Sequence, residues 1–211
     1  MSDLSALLAK LPLIAILRGI KPDEVLPAMQ ALTGEGIRIV EVPLNSPQPL
    51  ESLRLMAGHA DAETLVGAGT VLTVDEVYAV AETGARLIVS PNADAAVISR
   101  AKSLGLMSLP GVATPSEAFV ALKAGADGLK VFPAEALPPA VLKAWLAVLP
   151  PGTLLVPVGS ITTDNMADYV AAGAAGFGIG SSLYKPGVSA IELKERAANF
   201  VRGYRAIEPR R

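Results

Sequence analysis

The chain has no cysteine and a single histidine, His59, among its 211 residues. Without thiols there is no disulfide scaffold, thiolate metal site or cysteine nucleophile. One imidazole cannot build a multi-histidine zinc or non-haem iron centre within one chain. A Ser-His-Asp hydrolase would depend on His59 alone. Charge is also sparse: 18% of residues are charged, with 18 Lys and Arg against 20 Asp and Glu, for a net charge of −2. No basic run stands out, so neither a nucleic-acid partner nor a membrane-surface role is expected. The apolar run at 11–17 is too short to span a bilayer. Residues 1–10 read as a short amphipathic helix without the basic start or cleavage site of a signal peptide. A soluble cytoplasmic protein is the expectation.

What the chain has in quantity is apolar residues, 51% of the total, enough for a sizeable core and against disorder. They gather into eight runs of strand length, at 13–17, 37–42, 65–68, 86–89, 106–109, 128–132, 154–158 and 175–179. Continuous apolar runs of this kind indicate parallel strands covered on both faces. Helical periodicity fills the intervals, for instance at 22–33, 47–58, 74–83, 93–104 and 115–124. Gly34, Gly84, Gly105, Gly125 and Gly173 stand where a left-handed residue would end a helix. Lys21-Pro22-Asp23-Glu24 and Thr114-Pro115-Ser116-Glu117 read as helix starts.

Eight strand-helix units, about 20 to 28 residues each, fill the chain without a linker. The count predicts a (β/α)8 TIM barrel with a short N-terminal helix, a single domain over 1–211. The same alternation permits an open doubly wound sheet. Against that reading, no G-x-G-x-x-G follows the first strand; Leu17-Arg18-Gly19 stands there instead.

Barrel enzymes gather function where strands end and in the loops that follow. Lys130 lies in the apolar string Gly-Leu-Lys-Val-Phe-Pro, although lysine is uncommon in strands and rarely buried unless paired. Burial favours the neutral amine, the form that attacks a carbonyl carbon to give an imine. The alternatives are an outward-pointing lysine or one paired with a buried carboxylate. Glu41, in Val-Glu-Val-Pro, is the only acidic residue within the eight runs. It can shuttle protons beside such an amine, or form a structural ion pair with it, an arrangement that stabilises poorly. Gly159-Ser160 and Gly180-Ser181-Ser182 follow the last two runs, where barrels often hold phosphate; tight turns explain the same glycines. Arg18 sits where the first run ends, suited to a carboxylate or phosphate, or simply on the surface. Thr70 either donates its hydroxyl to a carboxylate or starts a helix. His59 reads as solvated and Trp145 as packing.

In order along nearly the whole chain, these residues resemble the class I 2-keto-3-deoxy-6-phosphoaldonate aldolases. The likeness is carried by Leu-Pro-Leu-Ile-Ala-Ile-Leu-Arg-Gly-Ile at 11–20, Val-Glu-Val-Pro-Leu-Asn-Ser-Pro at 40–47 and Val-Gly-Ala-Gly-Thr-Val-Leu at 66–72. It continues through Leu-Ile-Val-Ser-Pro-Asn at 87–92, Pro-Gly-Val-Ala-Thr-Pro-Ser-Glu-Ala at 110–118 and Leu-Lys-Val-Phe-Pro-Ala at 129–134.

The resemblance implies Lys130 as the Schiff-base lysine and Glu41 as proton donor and acceptor. It implies Arg18 and Thr70 on the substrate carboxylate and oxygens, Pro91 near the pyruvyl methyl, and phosphate against Gly159, Ser160, Gly180 and Ser181. The family's gluconate type typically has arginine and threonine where this chain has Asn45 and Val158, which look like the galactonate type. Ser160 departs from a usual second glycine. The expected reaction is reversible aldol cleavage of a phosphorylated keto-deoxy sugar acid to pyruvate and glyceraldehyde 3-phosphate. Neither cofactor nor metal is expected, and the resemblance implies a homotrimer. The alternatives are the C4-epimeric gluconate aldolase, a phosphosugar isomerase or epimerase using Glu41 as base, and a non-catalytic phosphosugar-binding barrel.

Overall fold

Glycine, proline and cap residues set where each helix begins and ends, and the apolar runs between them become strands. A computed structural model describes residues 4–207; part of the amphipathic stretch expected at 1–10 therefore lies outside the described residues. The order is α1 (Leu4–Lys10), β1 (Leu13–Ile16), α2 (Val25–Gly34), β2 (Ile39–Pro43), α3 (Pro49–His59), β3 (Leu65–Gly69), α4 (Val74–Ala81), β4 (Leu87–Val89) and α5 (Ala95–Ser103). It continues with β5 (Met107–Leu109), β6 (Gly111–Val112), α6 (Pro115–Lys123), β7 (Leu129–Val131), α7 (Pro139–Leu146), β8 (Leu155–Pro157), α8 (Met166–Ala171), β9 (Phe177–Ile179) and α9 (Ala190–Ile207). A 3₁₀ turn, Ala134–Ala136, follows β7. No described helix is long and apolar enough to cross a membrane.

All strand pairs are parallel. Six strands run β5-β4-β3-β2-β1-β9 and three run β6-β7-β8. The nine strands exceed the eight runs by one because β6 lies beyond the fifth run: Pro110 has no N–H for a ladder and separates β5 from β6. Its carbonyl still accepts from Lys130 N at 2.9 Å, and Asp127 N donates to Ser108 O at 2.9 Å, so the smaller sheet continues from the β5 edge. At the other edge Ala175 N donates to Leu155 O at 2.8 Å, and Val158 bridges Gly178 in parallel.

Alternation along the strands sorts side chains between two layers. Leu13, Ala15, Val40, Val42, Ile88, Leu129, Val131, Phe177 and Ile179 join the larger cluster, packed with helix residues. Ile14, Ile16, Ile39, Leu65, Leu87, Val89, Leu109, Val156 and Val158 form a second cluster on the inner face. Side chains two apart along a strand share a face, so Glu41 falls in with Ile39, and Lys130, between Leu129 and Val131, also points inward. Leu4, Leu7 and Leu8 of α1 enter this inner cluster with helical spacing. Leu8 lies against Gly176 just before β9, so α1 covers the end from which the strands set out.

The helix punctuation needs two corrections. Gly34 is the last residue of α2 rather than its left-handed stop; Gly36, at φ 92°, takes that conformation, as Gly84, Gly105, Gly125 and Gly173 do at their own helix ends. The helix expected from residue 22 begins at Val25, because 22–24 form a turn held by Lys21 N donating to Glu24 Oε2 at 3.0 Å. The start at Thr114 stands as expected. Its Oγ1 accepts from Glu117 N at 3.3 Å, while Glu117 Oε2 accepts from Thr114 N at 2.9 Å, a reciprocal cap; Thr73 and Glu76 repeat it. Thr114→Ala should lower stability by about 1 kcal/mol, and Thr114→Gly by a few tenths. Urea unfolding measures both, and an unchanged stability in Thr114→Ala would deny the hydroxyl its capping role.

Candidate active site

Strands β2 and β7 deliver the two charged side chains of the inner face. Glu41 is 2% exposed and Lys130 6%; among the described residues no other Asp, Glu, Lys or Arg is buried. The carboxylate fits because β3 gives way to it. A Cβ on Gly69 would collide with Glu41 Oε2, so a side chain there would push the carboxylate out of this position. Oε2 has no hydrogen-bond partner. Lys130 Nζ lies 4.8 Å from the Phe132 ring centroid, within cation–π range. The two groups feel each other's charge, yet no direct ion pair joins them. The outward-pointing lysine and the structural ion pair are both set aside.

Burial pushes the Glu41 carboxyl above its ordinary value, against the lowering pull of the Lys130 and Arg18 charges. Burial likewise holds the Lys130 amine below the ordinary lysine value, against Glu41 and with help from Arg18. The neutral amine, the nucleophilic form, is therefore favoured relative to a solvated lysine. The carboxyl is more readily protonated, as a proton shuttle requires.

A cavity of about 450 Å³ opens over Lys130. Seven of the expected residues line it: Arg18, Lys130, Val158, Gly159, Ser160, Gly180 and Ser181. Glu41, Asn45, Thr70 and Pro91 do not reach its wall. Asn45 is tied to it indirectly, its Oδ1 accepting from Arg18 Nη1 at 2.6 Å. Thr70 does not start a helix: it follows β3 in the left-handed region at φ 56°, beside the glycine that faces Glu41, and Thr73 caps α4. Pro91 packs through its carbonyl on Gly111, where a Cβ would come within 2.3 Å. His59 is exposed, with Nδ1 2.8 Å from Leu55 O, and lines a different hollow. Trp145 is buried in the core.

The sequence reading missed Glu135 and Lys185, which both line the cavity. Glu135 follows Lys130 in the string Lys-Val-Phe-Pro-Ala-Glu, and Lys185 comes three residues after Ser182. The rule that function collects in loops after strands could have found either. Both are exposed and so resemble ordinary surface charges. The loops around them are knitted together: Ser160 Oγ donates to Glu135 Oε1 at 2.7 Å, and Ser182 Oγ donates to Ile161 O at 2.9 Å. Arg18 and Lys185 place positive charge at the rim, which suits an anionic ligand. Among the described residues, no group of three or more His, Cys, Asp or Glu is placed to hold a metal ion.

Residues 4–198 match the family model of the KDPG and KHG aldolases. The chain is 48% identical to the probable 2-dehydro-3-deoxy-6-phosphogalactonate aldolase of Rhizobium meliloti, over 93% of this chain and 92% of that protein. It is 47% identical to the 2-dehydro-3-deoxy-6-phosphogalactonate aldolase of Escherichia coli, over 93% and 96%. A solved structure described as native KDPGal superposes with a TM-score of 0.92 at 47% identity, covering 94% of this chain and 96% of that one.

The raised Glu41 value has a consequence for folding. Above the ordinary carboxylate range and below the raised value, the folded chain binds more protons than the unfolded chain, so stability falls as pH rises through that window. Glu41→Gln removes this titration. Unfolding by urea at pH 5 and pH 8 should show the variant gaining on the wild type as pH rises. A wild type that gains instead would mean that Lys130 and Arg18 outweigh burial and hold the carboxylate charged.

Proposed function

The chain belongs to the KDPG and KHG aldolase family and is an aldehyde-lyase; from that premise we propose reversible cleavage of 2-dehydro-3-deoxy-6-phospho-D-galactonate to pyruvate and D-glyceraldehyde 3-phosphate. The observation that carries the reading is one amine and one carboxylate buried on the same inner face, the amine in the wall of a cavity with cationic side chains at its rim. We take the scaffold as a closed (β/α)8 barrel in a single domain, a reading supported by parallel pairing throughout and by the hydrogen bonds at both sheet edges. The homotrimer implied by the family belongs to the same proposal. Exposed Leu72, Tyr78, Phe119 and Val120 supply apolar surface for such an assembly.

The chemistry follows from the two groups. The neutral Lys130 amine adds to the C2 carbonyl, giving a carbinolamine that loses water to form an iminium. Glu41 takes the proton of the C4 hydroxyl. The C3–C4 bond breaks, its electron pair moves into the iminium to make an enamine, and the aldehyde carrying the phosphate departs. Glu41 returns the proton to C3, and water hydrolyses the restored iminium to pyruvate and free amine. The iminium is the electron sink, so the cycle balances without a cofactor. Arg18 and the loops after β8 and β9 hold the charged ends of the substrate.

Incubation with pyruvate followed by borohydride should leave a reduced pyruvyl adduct on the peptide containing Lys130, absent in Lys130→Ala. Turnover without any adduct would falsify the imine and favour an isomerase-like use of Glu41.

The galactonate assignment is supported by Asn45, which accepts from Arg18, and by apolar Val158 in the cavity wall. Of the two C4 epimers, the galactonate form should be cleaved with the higher kcat/KM. A clear preference for the gluconate epimer would reverse the substrate assignment and leave the mechanism intact.

A further inference from the structure

The loop after β8 makes a turn that its sequence should resist. Gly159 stands at φ 115° and Ser160 at φ 48°. Glycine takes such angles freely, whereas a left-handed serine costs on the order of 1 kcal/mol. Such a residue persists only where its surroundings hold it, and three contacts do so. Glu135, in the 3₁₀ turn after β7, accepts from Ser160 Oγ at 2.7 Å. Its other oxygen lies over Gly159, where a Cβ would come within 2.3 Å. From the opposite side Asn165 Nδ2 donates to Ser160 O at 2.8 Å, while Asn165 Oδ1 accepts from Thr162 N at 3.0 Å. Neither Ser160 nor Ile161 donates its amide hydrogen to a protein acceptor among the described residues, and both line the cavity.

A carboxylate in this place is otherwise hard to explain. It adds negative charge to the rim where Arg18 and Lys185 supply positive charge, which by itself opposes an anionic ligand. Its hydrogen bond to Ser160 also pulls the Glu135 carboxyl below its ordinary value, so it stays ionised and remains a strong acceptor near neutrality.

We propose that Glu135 is a positioning residue for the phosphate end of the substrate: it holds Ser160 in the left-handed turn that leaves the Ser160 and Ile161 amides free for the anion. A glycine at 160 would adopt the turn unaided; with serine, the chain needs the clamp. The inference rests on the aldolase reading above and deepens it at the phosphate subsite.

The test is a comparison of backgrounds. With 2-dehydro-3-deoxy-6-phosphogalactonate, Glu135→Ala should raise KM about tenfold, the scale of one hydrogen bond to a charged group, with kcat changed by less than about twofold. Glu135→Gln, which keeps the acceptor, should recover most of that loss. In a Ser160→Gly background the same Glu135→Ala change should move KM by less than about twofold, since no serine remains to be clamped. Equal losses in the two backgrounds would overturn the proposal. So would a lower KM in Glu135→Ala, which would make the carboxylate a competitor of the phosphate. Should Glu135→Ala fail to fold, Glu135→Gln and Ser160→Ala decide. Ser160→Ala keeps the strained angle without the hydroxyl and should reproduce the KM defect, and an unchanged KM would refute the clamp. Borohydride trapping of pyruvate on the wild type and each variant separates the two levels. No Lys130 adduct in any of them, wild type included, removes the aldolase reading. Adducts with unaltered KM values remove only the clamp.

Discussion

Glu41 and Lys130 share a low-dielectric interior without touching. Removing either charge from water costs several kcal/mol, and a direct ion pair would recover part of that. Here the recovery is incomplete, because Oε2 of Glu41 is left without a partner and Lys130 rests over an aromatic ring. Desolvation drives both groups toward neutrality, and their mutual attraction restrains it. That balance leaves an amine able to attack and a carboxyl able to pass a proton. A tighter pair would hold both in their charged forms. Such a site is a net burden on stability, offset by the apolar layers on both sides of the strands.

Around this dry interior the loops do a different kind of work. Ser160, Ser181, Glu135 and Lys185 are exposed, so their contacts add little to the stability of the fold. Weak contacts at a wet rim can vary without threatening the fold, which is where barrels accommodate different substrates. The buried pair offers no such freedom. On the proposed mechanism, covalent chemistry resides in strands and recognition in loops, joined by Val158, which belongs to the inner cluster and also lines the cavity.

Much of this was legible in the residues. The eight apolar runs match the observed strands within a few residues, because parallel strands covered on both faces need unbroken apolar sequence. Lys130 and Glu41 were legible for the complementary reason, as charges within such runs. Strand β6 has no signal of its own, because its two residues, Gly111 and Val112, lie past Pro110 and outside any apolar run. Gly34 and Gly36 show the limit of local rules: two glycines stood near one helix end, and only the path of the chain into β2 selects the second. Exposed charges in loops carry no signal of burial, so Glu135 and Lys185 looked like any surface residue until the loops were folded together. The Arg18–Asn45 contact spans 27 positions and has no local signature at all.

The influence of the buried pair reaches positions that have no chemistry of their own. Glycine weakens a strand by roughly 0.5–1 kcal/mol relative to alanine, yet β3 carries Gly67 and Gly69 on its inward face. At Gly69 a methyl group would collide with the Glu41 carboxylate, and at Gly67 with Leu87 of the neighbouring strand at 2.7 Å. Gly178 on β9 makes room for Val158 in the same way, at 2.6 Å. These strands give up side chains so that β2 can carry an acid and Val158, just after β8, can form an apolar part of the cavity wall. The composition of β3 is thus set across the ladder, by what its neighbours must bury, and its intrinsic strand propensity is subordinate to that.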